Sequence, residues 1–101
     1  MLKELKDALM VCFGEDIQSV ILFGSRVTGK AHLDSDYDVL IILKCDYDWQ
    51  YEQKIISEVY NLELKYEVFI DLKIISAREL QHTIKGMLPL YAEAIQKGIH
   101  V

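Results

Sequence analysis

The sequence predicts an α+β domain: a small mixed β-sheet of three to four strands with flanking helices. Three observations carry that expectation. Short apolar, β-branched runs at 17–23, 37–43 and 68–75 read as strands. Segments with apolar residues at helical spacing lie between and around them. The middle run, Tyr37 to Leu43, is apolar on both faces, as in a strand inside a sheet covered on both sides. The chain of 101 residues suits a single domain spanning 1–101.

Leu2, Leu5, Leu9, Cys12 and Phe13 fall at helical spacing, so residues 2–13 form an amphipathic helix with Gly14 as its stop. The first strand, Ile17 to Phe23, ends at Gly24-Ser25. Residues 26–30 read as a short helix closed by Gly29, and 33–35 as loop. After the second strand, Asp46 and Asp48 are candidate N-caps for a helix from about Trp49 to Leu62. Its expected core stripe is Trp49, Ile55, Ile56, Val59 and Tyr60. The third strand runs from Val68 to Ile75. Ser76-Ala77-Arg78-Glu79 has capping-box spacing and starts a helix that Gly86 ends. Pro89 suits the first turn of a last helix stopping near Gly98.

Charge narrows the partners. Sixteen acids against eleven Lys and Arg give a net charge of −5, with no basic stripe, so unaided nucleic-acid binding is not expected. Cys12 and Cys45 lack metal-ligand spacing and sit in apolar surroundings, which reads as buried free thiols in a reducing compartment. No signal-peptide pattern is visible, and the longest unbroken apolar stretch, Val39 to Leu43, is too short to span a membrane. The expected location is cytoplasmic.

The chemistry concentrates between the first two strands. Gly24 allows a sharp turn and a close approach of the backbone to a ligand. A helix starting at Ser25 would aim free N–H groups at a phosphate, with the Ser25 hydroxyl as a further donor and Arg26 as added charge. A plain strand-to-helix turn would look the same. Ten residues, 26–35, separate Ser25 from Asp36-Tyr37-Asp38. Residues two apart on a strand face one side, so Asp36 and Asp38 converge while Tyr37 points away. Adjacent carboxylates repel unless a divalent cation, held by hard oxygen ligands, removes the cost. The alternative is that these acids punctuate a loop-to-strand junction.

Asp71 interrupts an apolar strand, and a carboxylate there is costly without a partner. Phe69, Asp71 and Lys73 share one strand face. If this strand lies beside the second, Asp71 joins Asp36 and Asp38. It could instead pair with Lys73 or Lys65, and Glu67 is the fallback third acid. Three such carboxylates can hold two Mg²⁺ ions for an in-line displacement. His32, His82 and His100 are dispersed and read as surface residues. Thr28, Lys30 and Tyr37 lie near the motif without a spacing that assigns them a role.

Gly24-Ser25, ten residues, Asp36-Tyr37-Asp38 and a lone strand acid at Asp71 together resemble the DNA polymerase beta-like nucleotidyltransferase superfamily, and within it the minimal nucleotidyltransferases, the MNT family. The likeness covers about Ser19 to Ile75. It implies the nucleotidyltransferase fold and transfer of a nucleoside monophosphate, AMP from ATP or another NTP, with Mg²⁺ and release of pyrophosphate. It makes Asp36, Asp38 and Asp71 the metal-binding and catalytic triad, and Gly24 and Ser25 the phosphate-contacting turn, beside which Arg26 is a nucleotide-binding candidate by its charge. Minimal members are similar to antitoxins that neutralise a HEPN-domain ribonuclease toxin by modifying it or by binding it. The resemblance thus implies a HEPN partner, and the sequence leaves open a homo- or hetero-oligomer. A binding module with little or no catalysis is the alternative.

Overall fold

The computed structural model describes residues 2–24, 37–83 and 85–101. Helix α1 (Leu2–Phe13) runs into a 3-10 turn, Gly14–Asp16, and then into β1 (Ile17–Phe23). Strand β2 (Tyr37–Leu43) leads to helix α2 (Trp49–Tyr66), which crosses over to β3 (Ile70–Ser76). Helix α3 (Ala77–His82), a 3-10 turn at Lys85–Met87, helix α4 (Pro89–Lys97) and the short β4 (Ile99–His100) complete the order. The sheet order is β3-β2-β1-β4. Strand β1 is antiparallel to both β2 and β4, whereas β2 and β3 are parallel, as a crossover through a helix requires. The expected α+β class and mixed sheet are therefore observed.

Both faces of the sheet are covered. Val39, Ile41 and Leu43 of β2 join Leu5 and Leu9 of α1 and Ile55, Val59 and Leu62 of α2 in one core. Leu40 and Ile42 point the other way and pack with Ile21, Ile75, Tyr91 and Ala94, the last two from α4. The doubly apolar pattern of β2 is thus explained by two cores that meet at one central strand.

Several expectations need correction. Helix α2 continues to Tyr66, because Glu63, Leu64 and Lys65 are good helix formers and nothing stops it before Glu67. Glu67 takes a left-handed conformation as its C-cap, so the third strand starts at Ile70 and not Val68. Of the expected core stripe only Ile55 and Val59 are buried, with Leu62; Trp49, Ile56 and Tyr60 are exposed. One face of the helix meets the sheet, and the neighbouring apolar stripe is left outside. Cys12 and Cys45 are exposed, because the buried face of α1 is set by Leu5 and Leu9, and Cys45 lies beyond the end of β2. The predicted helix ended by Gly86 stops at His82. The short helix at 26–30 and the loop at 33–35 lie outside the described residues.

Two acids after β2 divide the work that the sequence left between them. Asp48 caps α2, accepting the Tyr51 N–H at 2.8 Å. Asp46 accepts the Ser76 hydroxyl at 2.9 Å and the Arg78 guanidinium at 2.6 Å. Arg78, then Ser76, hold the Asp46 carboxyl below its ordinary range. Ser76 is fully buried and also accepts the Glu79 N–H at 3.1 Å, closing the expected capping box. Ser76 therefore joins the end of β3 to the start of α3 and to the segment after β2. Replacing it by alanine, Ser76→Ala, is expected to lower stability by about 1 to 2 kcal/mol in urea unfolding, the range for losing a helix cap.

Candidate functional site

The parallel register of β2 on β3 places Asp38 opposite Asp71. Partners in register present their side chains on the same side of the sheet, so the two carboxylates share a face. It is the face that carries Leu40, Ile42 and Ile75 farther along the strands. Both acids sit second in their strands, at the end of the sheet where the apolar packing stops. Asp38 is half-buried, and the Asp71 side chain is about half exposed. The N–H of Tyr37 donates to the carbonyl of Phe69 at 2.9 Å, which ties the two strand starts together just ahead of the acids.

On the other flank of β2, Asp38 is in register with Phe23, the last residue of β1. Gly24 follows with φ of +79°, a conformation that side chains rarely adopt. A Cβ built on Gly24 would lie 2.1 Å from Asp38 Oδ2 and 3.0 Å from its Cγ. The Asp38 carboxylate thus fills the space that any side chain at position 24 would need. Two separate constraints, backbone conformation and contact with the acid, demand glycine there. They also bring the bare backbone of the turn against one acid of the pair.

Lys73 follows Asp71 on the same strand face, and its Nζ lies 3.0 Å from Asp71 Oδ1. Of the two lysines that the sequence offered Asp71, this is the one that pairs; Lys65 pairs with Glu4 of α1 instead. Tyr91 of α4 packs on this side too. Burial raises its phenol above the ordinary value, and the Lys73 ammonium pulls it back. Lys73 is thus a charge standing between the acids and the α4 face.

The structure brings together Gly24, Asp38 and Asp71 of the residues singled out in the sequence. Glu67 caps α2 ahead of β3, whereas Asp71 stands in register with Asp38. Ser25, Arg26 and Asp36 lie outside the described residues, as do Thr28, Lys30 and His32. Among the described residues no group of three or more His, Cys, Asp or Glu is placed to hold a metal ion. The described part of the site is a pair of acids. What the sequence reading did not foresee is how Gly24 and Asp38 interlock, because that contact depends on the register of β1 on β2.

A strand-end glycine lies against one carboxylate, and a second carboxylate stands on the next strand. The family described as Polymerase beta, Nucleotidyltransferase matches residues 3–94. The chain belongs to this family. Among curated relatives this nucleotidyltransferase is 36% identical over 70 residues to Putative protein adenylyltransferase MJ0141 of Methanocaldococcus jannaschii, covering 69% of this chain and 71% of the relative. It is 35% identical over 79 residues to Putative protein adenylyltransferase MJ0604 of the same organism, covering 78% of this chain and 73% of the relative.

Solved structures share the fold of this nucleotidyltransferase. A toxin–antitoxin structure with AMP-PNP superposes with a TM-score of 0.64 at 17% identity, covering 99% of this chain and 72% of that one. A variant of the MntA–HpeT toxin–antitoxin pair gives 0.66 at 17% identity, covering 100% of this chain and 71% of that one. Among the described residues no helix is long and apolar enough to cross a membrane.

The Gly24–Asp38 contact yields a prediction that needs no substrate. Gly24→Ala should lower stability by roughly 1 to 2 kcal/mol from backbone strain alone, and by more with the carboxylate in the way. In an Asp38→Ala background the same change should cost measurably less, because the obstructing carboxylate is gone. Urea unfolding of the two single variants and the double variant measures that coupling.

Proposed function

We propose that this nucleotidyltransferase moves AMP from ATP to a hydroxyl group of a partner protein. We further propose that it serves as the antitoxin of a pair whose toxin is a HEPN-domain ribonuclease. The observation that carries the chemistry is the register that sets Asp38 beside Asp71, with Gly24 against Asp38. The names of the two curated relatives favour AMP and a protein acceptor. The toxin–antitoxin structures that share the fold favour a toxin partner. The net charge of −5 argues against an acceptor of nucleic acid bound by this domain alone.

The donor set fits a hard divalent cation: paired carboxylates are favourable ligands and an unfavourable pair without one. Asp36, Asp38 and Asp71 are the residues that would hold two Mg²⁺ ions. Bound there, Mg²⁺ would offset the charge that builds on the phosphate oxygens and make the acceptor hydroxyl more acidic. The chain supplies the rest. Gly24 offers backbone without a side chain to the triphosphate, and Ser25 and Arg26 add a hydroxyl and a guanidinium. Asp71, the more exposed acid, takes the proton of the acceptor hydroxyl. The acceptor oxygen bonds to the α-phosphorus as the bond to pyrophosphate breaks, and pyrophosphate leaves with the electron pair.

Labelled ATP, Mg²⁺ and the product of the neighbouring reading frame provide the assay. Label on that protein is expected with the wild type. Asp38→Asn should reduce transfer by roughly 100-fold or more while leaving the far-ultraviolet dichroism unchanged. Full activity in that variant would end this assignment. A partner silenced equally well by Asp38→Asn, with no label on it, would favour neutralisation by binding alone.

The Lys73–Asp71 pair gives a second prediction. An ammonium on Asp71 competes with any metal ion for the same oxygen. Lys73→Gln should therefore strengthen Mn²⁺ binding, read by electron paramagnetic resonance, by about two- to fivefold, the range that an exposed ion pair permits. Unchanged or weaker binding would mean that Lys73 does not compete for the site.

A further inference from the structure

Helix α2 has two apolar faces, and only one is covered. Ile55, Val59 and Leu62 lie in the core. Ile56, Tyr60 and Leu64 repeat every fourth residue on a second stripe, continued toward the N-terminus by Trp49. Trp49 is 70% exposed and Leu64 61% exposed. Beyond the end of the helix the stripe meets Phe69, which is 73% exposed. A groove of about 540 Å³ runs between α2 and the segment ahead of β3, with Tyr60, Leu64, Val68 and Phe69 among its walls. A second hollow of about 210 Å³ adjoins it through Glu63 and opens beside Ile56 and Leu72. Scattered apolar residues need no explanation, but a line of large ones beside a groove does.

The charges along this stripe have one sign. Glu63 and Glu67 line the larger groove, and Glu52 lines the smaller. The lysines of the helix, Lys54 and Lys65, fall on its other side by helical spacing, and Lys65 is held by Glu4 of α1. A second copy of this chain is a poor occupant: a two-fold contact would set the same glutamates against themselves on molecules that each carry −5. From Trp49 to Leu64 the stripe is about 22 Å long, at 1.5 Å per residue, which is the length of a helix of about four turns.

We propose that the outer stripe of α2, continued by Phe69, is a docking surface for an amphipathic helix of a partner protein, apolar on one side and basic along its margins. Such a helix lays its apolar side in the groove and its cations against Glu52, Glu63 and Glu67. The stripe belongs to the helix that covers one face of the sheet, whereas Asp38 and Asp71 lie on the other face. The inference goes beyond the transfer reading, because docking needs neither nucleotide nor metal. Its failure would leave the chemistry of the acids untouched.

Trp49 is the single tryptophan of the chain and sits on the stripe, so its emission reports coverage directly. The probe is a synthetic helical peptide with leucines along one side and lysines on the rest, titrated into the full chain without nucleotide. A saturable blue shift is expected, weakening as salt is raised. Leu64→Ser combined with Phe69→Ser should weaken binding about tenfold or more while leaving the dichroism unchanged, since both side chains are exposed. A peptide with glutamates for lysines should give no shift. The proposal is overturned by the absence of a shift with the lysine peptide, by equal binding of the glutamate peptide, or by equal binding to the double variant. It is also overturned if sedimentation shows the chain alone forming a dimer in which Trp49 is already shielded.

Discussion

The structure depends on the register of β2 against β3. Seven residue pairs run in parallel from Tyr37 and Ile70 to Leu43 and Ser76, and one of them is Asp38 with Asp71. A slip of a single residue would turn Asp71 to the opposite face and set an apolar side chain beside Asp38. Burial enforces the register on both sides. Ile41 and Ile74 must face α1 and α2, while Leu40 and Ile75 must face α4. The apolar residues of the two strands thus hold their two polar starts together. Carboxylates that would repel each other are kept adjacent by contacts made farther along the sheet.

The same constraint shapes what surrounds the acids. Parallel pairing requires a crossover, and α2 is that crossover. Its length follows from the run of helix formers to Tyr66, and its end from Glu67 in a left-handed conformation. The helix covers one face of the sheet with one of its own faces and leaves the Ile56, Tyr60 and Leu64 stripe outside. Strand β3 is an edge of the sheet, so the groove beside it is open. On the inner flank, the antiparallel pairing of β1 brings Gly24 up to Asp38 and excludes a side chain from the turn. The acid pair, the bare turn and the outer stripe are three consequences of one strand order.

Much of this was legible in the sequence, and what was missed has physical reasons. Strands β1 and β2 were readable to the residue because their runs end in Gly24 and Lys44, where the apolar pattern stops. The double coverage of β2 followed from its lack of alternation. The pairing of Asp38 with Asp71 followed from strand parity once the two strands were taken as neighbours. Periodicity alone could not tell which of two adjacent apolar stripes on α2 enters the core, because both have helical spacing. Nor could it find β4, whose two residues have no period and exist as a strand only by pairing with Ile21 and Leu22. The exposed cysteines show the same limit: apolar neighbours in sequence do not make a buried position. Asp36, Ser25 and Arg26 rest on the motif itself, since they lie outside the described residues.

The proposed chemistry turns on Asp38 and Asp71 forming a single cation site because the sheet holds them in register. The direct measurement is anomalous diffraction from crystals of the chain grown with Mn²⁺ and a non-hydrolysable ATP analogue. The account predicts a manganese peak in contact with both carboxylates, and loss of that peak in Asp71→Asn. Manganese bound by Asp38 without Asp71, or by neither, would contradict it.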